Sequence, residues 1–268
     1  YGRTGPYADK GGFDLVAQGM SGLMSITGED KNKPPMKVGA PLTDITAGLL
    51  AASGILAAII HRDKTGEGQK VDTSLYEAGI VHTYWQSAIA GATGVSPGPL
   101  GSAHPLTAPY QAFKTRDKWI TVGASNQNTW LMLLKAIDRM DLQENELFSS
   151  KLNRKKNITQ LVDILNIELI KKTSNEWLKI FDDNGLPCGP INSINEMFED
   201  PQTIEREMII EVDNKKVGKS KAIGMPIKFS KSKTEKSKGA PNLGEHTKEI
   251  MKIFDYSDKQ IDDFYTRK

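Results

Sequence analysis

A single carboxylate sits at the mouth of a long apolar run. In "VGAPLTDITAGLLAASGILAAII", residues 38–60, Asp44 is the one charged side chain. Two roles fit this placement. Asp is a favoured helix N-cap, and its carboxylate would accept a hydrogen bond from the amide of Thr46 or Ala47. Its charge would then lie at the positive end of the helix dipole. A carboxylate fixed there and flanked by apolar chain can also act as a covalent nucleophile on an activated acyl group. Gly39, Ala40 and Gly48 keep the surroundings low in bulk, which gives a substrate room to approach.

The other reactive side chains are sparse. Cys188, the only cysteine, lies in "GLPCGP" with no nearby His or helix start to activate a thiolate, so it reads as a small packed residue. One cysteine excludes an internal disulfide and points to a reducing compartment. Four scattered histidines with no Cys/His cluster argue against a structural zinc site, and no metal-ligand set is predicted.

Hydrophobic periodicity gives the elements that must hold Asp44. A helix is expected near residues 13–26, ending at the polar stop "TGEDKNKPP". Helical spacing resumes at Ile45 and runs to about Arg62. After the turn "DKTGEGQ", the segment "KVDTSLYEAG" alternates as a short strand leading into a helix over residues 74–93. The Gly/Pro-rich "GVSPGPLGSAHPLTAP" is the best domain boundary. "YQAFKT" and "KWITVGA" flank an Arg-Asp turn and read as a hairpin. "NTWLMLLKAID" and the run from "NITQLV" to "FDDNG" read as amphipathic helices, with Gly185 just past a helix end. "LPCGPINSINEMFEDPQ" reads as a connector with one short helix. "IIEVDNKKVGKSKAIGMPIKFS" suggests a second hairpin, and helices close the chain. Mixed strands and helices place the fold in the α/β or α+β class.

Composition narrows the partners. With 38% hydrophobic and 25% charged residues the 268-residue chain can build a core, and a net charge of +2 is too small to argue for nucleic acid or an acidic membrane surface. The basic stretch over residues 214–241 is broken by Gly and Pro and reads as a solvated edge and loop. The apolar stretch 47–60 falls short of the roughly 20 residues a membrane span requires. No signal peptide is visible, and the chain opens without Met at "YGRTGPYADKGG", as if something upstream were missing.

Several ordered motifs carry a resemblance. "GGFDLVAQGMSGLMSITGEDKNKPPMKVGAPLTDITAGLLAASGILAAIIHRDKTGEGQKVDTSLYEA", "GSAHPLTAPYQAFKT", "GLPCGPINSINEMFEDPQ" and "NLGEHTKEIM" together resemble the family III CoA-transferases, the group of formyl-CoA and carnitine CoA-transferases. The likeness covers nearly the whole chain and is nearest in pattern to the succinyl-CoA:dicarboxylate, hydroxymethylglutarate-type branch. The resemblance implies an α/β fold. Residues 1–96 would end a Rossmann-like large domain lacking its N-terminal part, 97–192 would form a small α+β domain, and 193–268 would return to the large domain. It further implies an interlocked homodimer; from composition, no nucleic-acid or membrane partner is expected, and the single cysteine points to the cytoplasm.

The resemblance also implies a chemistry. The aspartate matching Asp44 attacks an acyl-CoA thioester, passes through an acyl-aspartyl anhydride and an aspartyl-CoA thioester, and hands CoA to an acceptor acid. Coenzyme A is then substrate, and no resident cofactor is expected. Water must be excluded because a mixed anhydride hydrolyses. Gly11, Gly12, Phe13 and Asp14 match the segment that approaches the CoA thiol end. Gly101 and His104 match the loop over the reacting aspartate, where His104 is either a donor to a substrate carboxylate or a plain loop histidine. Arg3 and Arg62 are either carboxylate or phosphate contacts or surface charges. α-Methylacyl-CoA racemases share the fold, but carry a His where this chain has Phe13, a helix-start core residue on the plain reading, and a Glu where it has Asn126. A third reading is a non-catalytic acyl-CoA-binding protein in which Asp44 only caps a helix.

Overall fold

Apolar residues at helical spacing build the first third of the chain. Helix α1 is Asp14–Met20, a 3-10 turn follows at Leu23–Ser25, and α2 runs Leu42–Thr65. Helices α3, Leu75–Val81, and α4, Tyr84–Thr93, complete this region. These coordinates are a computed structural model describing residues 1–214, 216, 218–232 and 239–266. The chain divides into two compact units, Tyr1–Ile191 and Asn192–Lys268.

Three sequence expectations change here. The helix expected over residues 13–26 ends at Met20, because Gly22 adopts φ +87°, a left-handed conformation that stops it. The strand expected in "KVDTSLYEAG" does not form, since among the described residues no neighbouring strand supplies a ladder. Instead Val71 crosses α2 at Gly54, where an added Cβ would come within 2.7 Å of the Val71 side chain. The helix expected over 74–93 is two helices. At the break the Thr83 hydroxyl donates to the Ile80 carbonyl at 2.7 Å and so competes with the helix ladder.

Helix α2 is also longer than its apolar stretch suggested. At 24 residues it is long and apolar enough to cross a membrane by length and composition. The length argument drawn from residues 47–60 therefore does not hold for the folded helix. Ile45, Leu49, Leu56 and Ile60 recur on one face of it, and each is more than half exposed.

The rest of this unit has its own core. Strands β1, Tyr110–Lys114, and β2, Trp119–Gly123, pair antiparallel from Tyr110↔Gly123 to Lys114↔Trp119, as the hairpin reading expected. Helices α5, Gln127–Ala136, α6, Asp141–Glu144, α7, Lys151–Lys156, α8, Ile158–Leu169, and α9, Ser174–Asp183, follow. Strand β3, Cys188–Pro190, then pairs antiparallel with β2. Alternation on the strands buries Phe113, Ile120 and Val122, which pack with Trp130, Leu133, Leu134, Leu161, Leu165, Leu169, Trp177 and Phe181 from the helices. Gly185 takes φ +69° directly after the α9 C-cap, as its position predicted.

The second unit contains α10, Ile194–Glu199, α11, Pro201–Glu205, the hairpin β4, Ile209–Asn214, with β5, Gly218–Ile223, and helices α12, Thr247–Ile253, and α13, Asp258–Thr266. The second hairpin and closing helices match the sequence reading. Of the basic stretch 214–241, residues 215, 217 and 233–238 lie outside the described residues. Within the described part, Lys219 pairs with Glu211 at 2.7 Å across the hairpin, and both are exposed.

Candidate active site

Asp44 is the third residue of α2, inside the first turn rather than before it. The N-cap is Pro41, and no side chain of its own caps the helix. The N-cap expectation for Asp44 is thus corrected. Proline has no N–H to lose and its ring holds φ near helical values, here −74°, so the helix starts three residues earlier than the apolar run. Asp44 keeps the favourable place of an acid in a helix's first turn.

The Asp44 side chain is exposed, and among the described residues it makes no hydrogen bond or ion pair. A carboxylate sheltered from water was the sequence expectation, and within this chain it is not sheltered, because the neighbouring face of α2 is bare. The glycines around it do leave space. A Cβ added at Gly39 or Gly48 would meet nothing within 4 Å. One turn along α2, Ala47 lines a cavity of about 310 Å³ with Tyr1, Gly2, Arg3 and residues 72–75. Arg3 therefore lies near the start of α2. Arg62 is 18 residues further along the same helix, about 27 Å at 1.5 Å per residue, and pairs with Asp63 at 2.8 Å.

The segment expected to approach the CoA thiol end lies beside this helix start. Gly11 and Gly12 are exposed, and the Tyr1 ring sits 3.7 Å from where a Gly12 Cβ would be. Phe13 is the N-cap of α1 and 79% exposed, so the reading of it as a core residue is corrected. Asp14 is half-buried and engaged by the chain's own donors. Its Oδ1 accepts from the Thr43 amide at 3.1 Å and the Thr43 hydroxyl at 2.8 Å, and its Oδ2 accepts from Gln18 Nε2 at 2.8 Å. Burial raises the Asp14 pKa, but the Thr43 and Gln18 donors and the Lys37 charge outweigh it and hold the carboxyl below its ordinary range. The "GFD" spelling gave no sign of this tie, since its partner lies 29 residues away.

The loop carrying Gly101 and His104 is fastened at several points. Gly101, at φ +59°, donates its N–H to Gly28 at 2.9 Å. The His104 carbonyl accepts from Lys155 Nζ at 2.8 Å, and its ring lies edge-on to Trp85 and Tyr110. His104 Nδ1 accepts the Leu106 amide at 3.0 Å, which leaves the ring proton on Nε2 as a donor. Burial first, then the Lys155 and Lys151 charges, push its pKa below the ordinary value, so the ring is neutral at neutral pH. Buried Arg154 donates to the Ala108 carbonyl at 3.2 Å and to the Phe148 carbonyl at 3.0 Å.

Two other side chains have structural explanations. Asn126 caps α5 in a reciprocal capping box with Thr129. The Cys188 thiol is pushed up to about 11, by burial first and then by the nearby Asp182 carboxylate, and packs against the core as expected. It is protonated at neutral pH and so a poor nucleophile.

The comparisons with known proteins agree with this architecture. Residues 1–247 match CoA-transferase family III, and the chain belongs to that family. It is 34% identical over 262 residues to a protein of Homo sapiens named succinyl-CoA:glutarate CoA-transferase, covering 97% of this chain and 60% of that protein. It is 39% identical over 258 residues to an acyl-CoA transferase of Fusarium pseudograminearum, covering 94% of this chain and 55% of that protein. The crystal structure of a CAIB/BAIF family protein from Brucella suis superposes with a TM-score of 0.79 at 32% identity, covering 94% of this chain and 65% of that one. The mixed helix and strand fold is thus of the α/β kind. The chain spans little more than half the length of these two curated relatives.

Proposed function

We propose that the complete protein transfers CoA from an acyl-CoA to a carboxylic acid, with Asp44 as the nucleophile. The observation that carries this is an unpartnered, accessible carboxylate at the start of α2, in a chain whose residues 1–247 match family III. An Asp44 oxygen attacks the thioester carbonyl. The new C–O bond replaces the C–S bond, and CoA leaves as thiolate. The thiolate attacks the Asp44 carboxyl carbon, forming an aspartyl thioester and releasing the donor acid as carboxylate. The acceptor carboxylate displaces CoA from Asp44 to form a second anhydride. The thiolate then takes the acceptor's acyl group and frees Asp44. No water or net proton is consumed, and a barrier between two poorly matched reactants is divided into similar steps.

The names of the relatives, among them succinyl-CoA:glutarate CoA-transferase, support succinyl-CoA as donor and a dicarboxylic acid as acceptor. His104, a neutral Nε2–H donor, suits one carboxylate of such an acid. Gly11, Gly12 and Phe13 would border the thiol end of CoA. A Rossmann-like large domain, a small domain over residues 97–192 and an interlocked homodimer in the cytoplasm complete the reading. A second copy and the rest of the large domain would cover the bare face of α2 and keep water from the anhydride.

The test combines hydroxylamine trapping with substitution. Incubated with succinyl-CoA and hydroxylamine, the complete gene product should carry a hydroxamate at Asp44 by peptide mass spectrometry. Asp44→Asn should abolish transfer across a panel of dicarboxylic acids while leaving the melting temperature nearly unchanged, as expected of an exposed side chain. Unmodified Asp44, or turnover retained in the Asn variant, defeats the proposal.

A further inference from the structure

The start of α2 is held from outside the helix. A helix leaves its first amides without internal partners, and here the N-cap is a proline with no side-chain acceptor. The missing acceptor comes from α1. Asp14 Oδ1 takes both the amide and the hydroxyl of Thr43, the residue immediately before Asp44. Asp14 is itself held, because Gln18 donates to its Oδ2 and uses its own Oε1 to accept the Val38 amide at 2.9 Å. Thr43 and Gln18 are completely buried, although both are polar. Buried polar groups are costly unless paired, so Thr43 and Gln18 have strong reason to keep these partners.

Helix α3 closes the other side. A Cβ added at Gly79 would lie 2.5 Å from the Ser21 hydroxyl and 3.4 Å from Thr43 Cγ2. Thr43 is therefore confined between a carboxylate on α1 and the backbone of α3. Its neighbour Asp44 projects from a turn tied on one side and packed on the other.

We propose that Asp14 is a positioning residue. Through Thr43 it fixes the first turn of α2, and with it the direction in which the Asp44 carboxylate meets the thioester. This rests on the reading of Asp44 as nucleophile. Three of the roughly four acceptor positions of the Asp14 carboxylate are already occupied by the chain, so its role is the internal tie rather than the grip on coenzyme A.

The test is carried out on the complete gene product and reads two quantities separately: the single-turnover rate of Asp44 acylation and the dissociation constant of the acyl-CoA. Asp14→Ala should slow acylation by about a hundredfold, the effect of a small misplacement of a reacting group, with the dissociation constant nearly unchanged. Asp14→Asn keeps an Oδ1 acceptor for Thr43 but turns an Nδ2 donor toward the Gln18 Nε2 donor, so it should restore only part of the rate. Thr43→Val, which removes only the hydroxyl bond, should give a smaller loss in the same direction, and it serves as the probe if Asp14→Ala does not fold. Weakened acyl-CoA binding with an unchanged acylation rate in the Asp14 variants would overturn the proposal, as would a Thr43→Val rate equal to wild type. If instead the unsubstituted protein gives no Asp44 hydroxamate, the nucleophile reading itself has failed. That outcome is distinct, because it is seen before any Asp14 variant is made.

Discussion

Residues 13–94 and residues 108–191 lie in one compact unit but hold together differently. The second region buries Trp130, Phe113, Phe181 and a set of leucines in a continuous core. The first has few buried apolar residues, Ala17, Leu23 and Ala78 among them, and relies on buried polar ones: Gln18, Thr43, Ser74 and Thr83. Its apolar residues face outward along α2 instead. A large exposed apolar face marks an interaction surface. The cored region is thus shaped by its own sequence, whereas the region bearing Asp44 is arranged by point-to-point hydrogen bonds. On the proposed reading, the chemistry falls on the less apolar-packed of these two regions.

Substitutions can break or sharpen that contrast. The largest effect is expected in the core: Phe181→Ala should lower stability by about 3–5 kcal/mol in denaturant melts. A loss below 1 kcal/mol would mean the second region is not packed as a true core.

A smaller effect is expected at Asp117, in the turn between β1 and β2. It accepts from the Ser174 amide at 2.7 Å, from the Thr115 hydroxyl and from the Lys118 amide. The Ser174 bond first, helped by the Thr115 and Lys118 bonds, outweighs desolvation and lowers its pKa from 3.8 to about 2. A depressed carboxyl contributes stability above its unfolded pKa and loses it as pH falls through the folded value. Asp117→Asn should therefore melt below wild type at neutral pH, and the gap should close as pH drops from about 4 to about 2. A gap independent of pH would show that the charge is not what matters.

The smallest effect is expected on α2. Leu56→Ala, at a side chain 63% exposed, should change the stability of the 268-residue chain by no more than about 0.5 kcal/mol. The same change in the complete assembled protein should cost more, since a covered leucine is worth about 2–5 kcal/mol. Equal effects in both would mean that nothing covers this face.

Much of the cored region could be read from sequence. Alternating aromatics and β-branched residues in "YQAFKT" and "KWITVGA" define the hairpin, and Gly185 marks the end of α9. Strand β3 could not be read, because "CGP" has no strand preference and becomes a strand only by pairing with β2. Around Asp44 the residue type, the small neighbours and the family resemblance were legible in the spelling. The spelling misplaced the helix start, since Pro41, Leu42 and Thr43 look like loop until Asp14 accepts the Thr43 amide.

The division has one physical cause. Periodicity, turn residues and composition act over a few neighbours, so the chain alone determined where helix predominates, though not each helix's bounds, its two hairpins and an acid at the mouth of an apolar helix. Hydrogen bonds between Asp14 and Thr43, the crossing of Val71 at Gly54 and the exposure of one face of α2 join residues far apart in the chain. Only tertiary structure decided them, because a polar group's partner is set by what folding brings within 3 Å of it, and no local spelling encodes that.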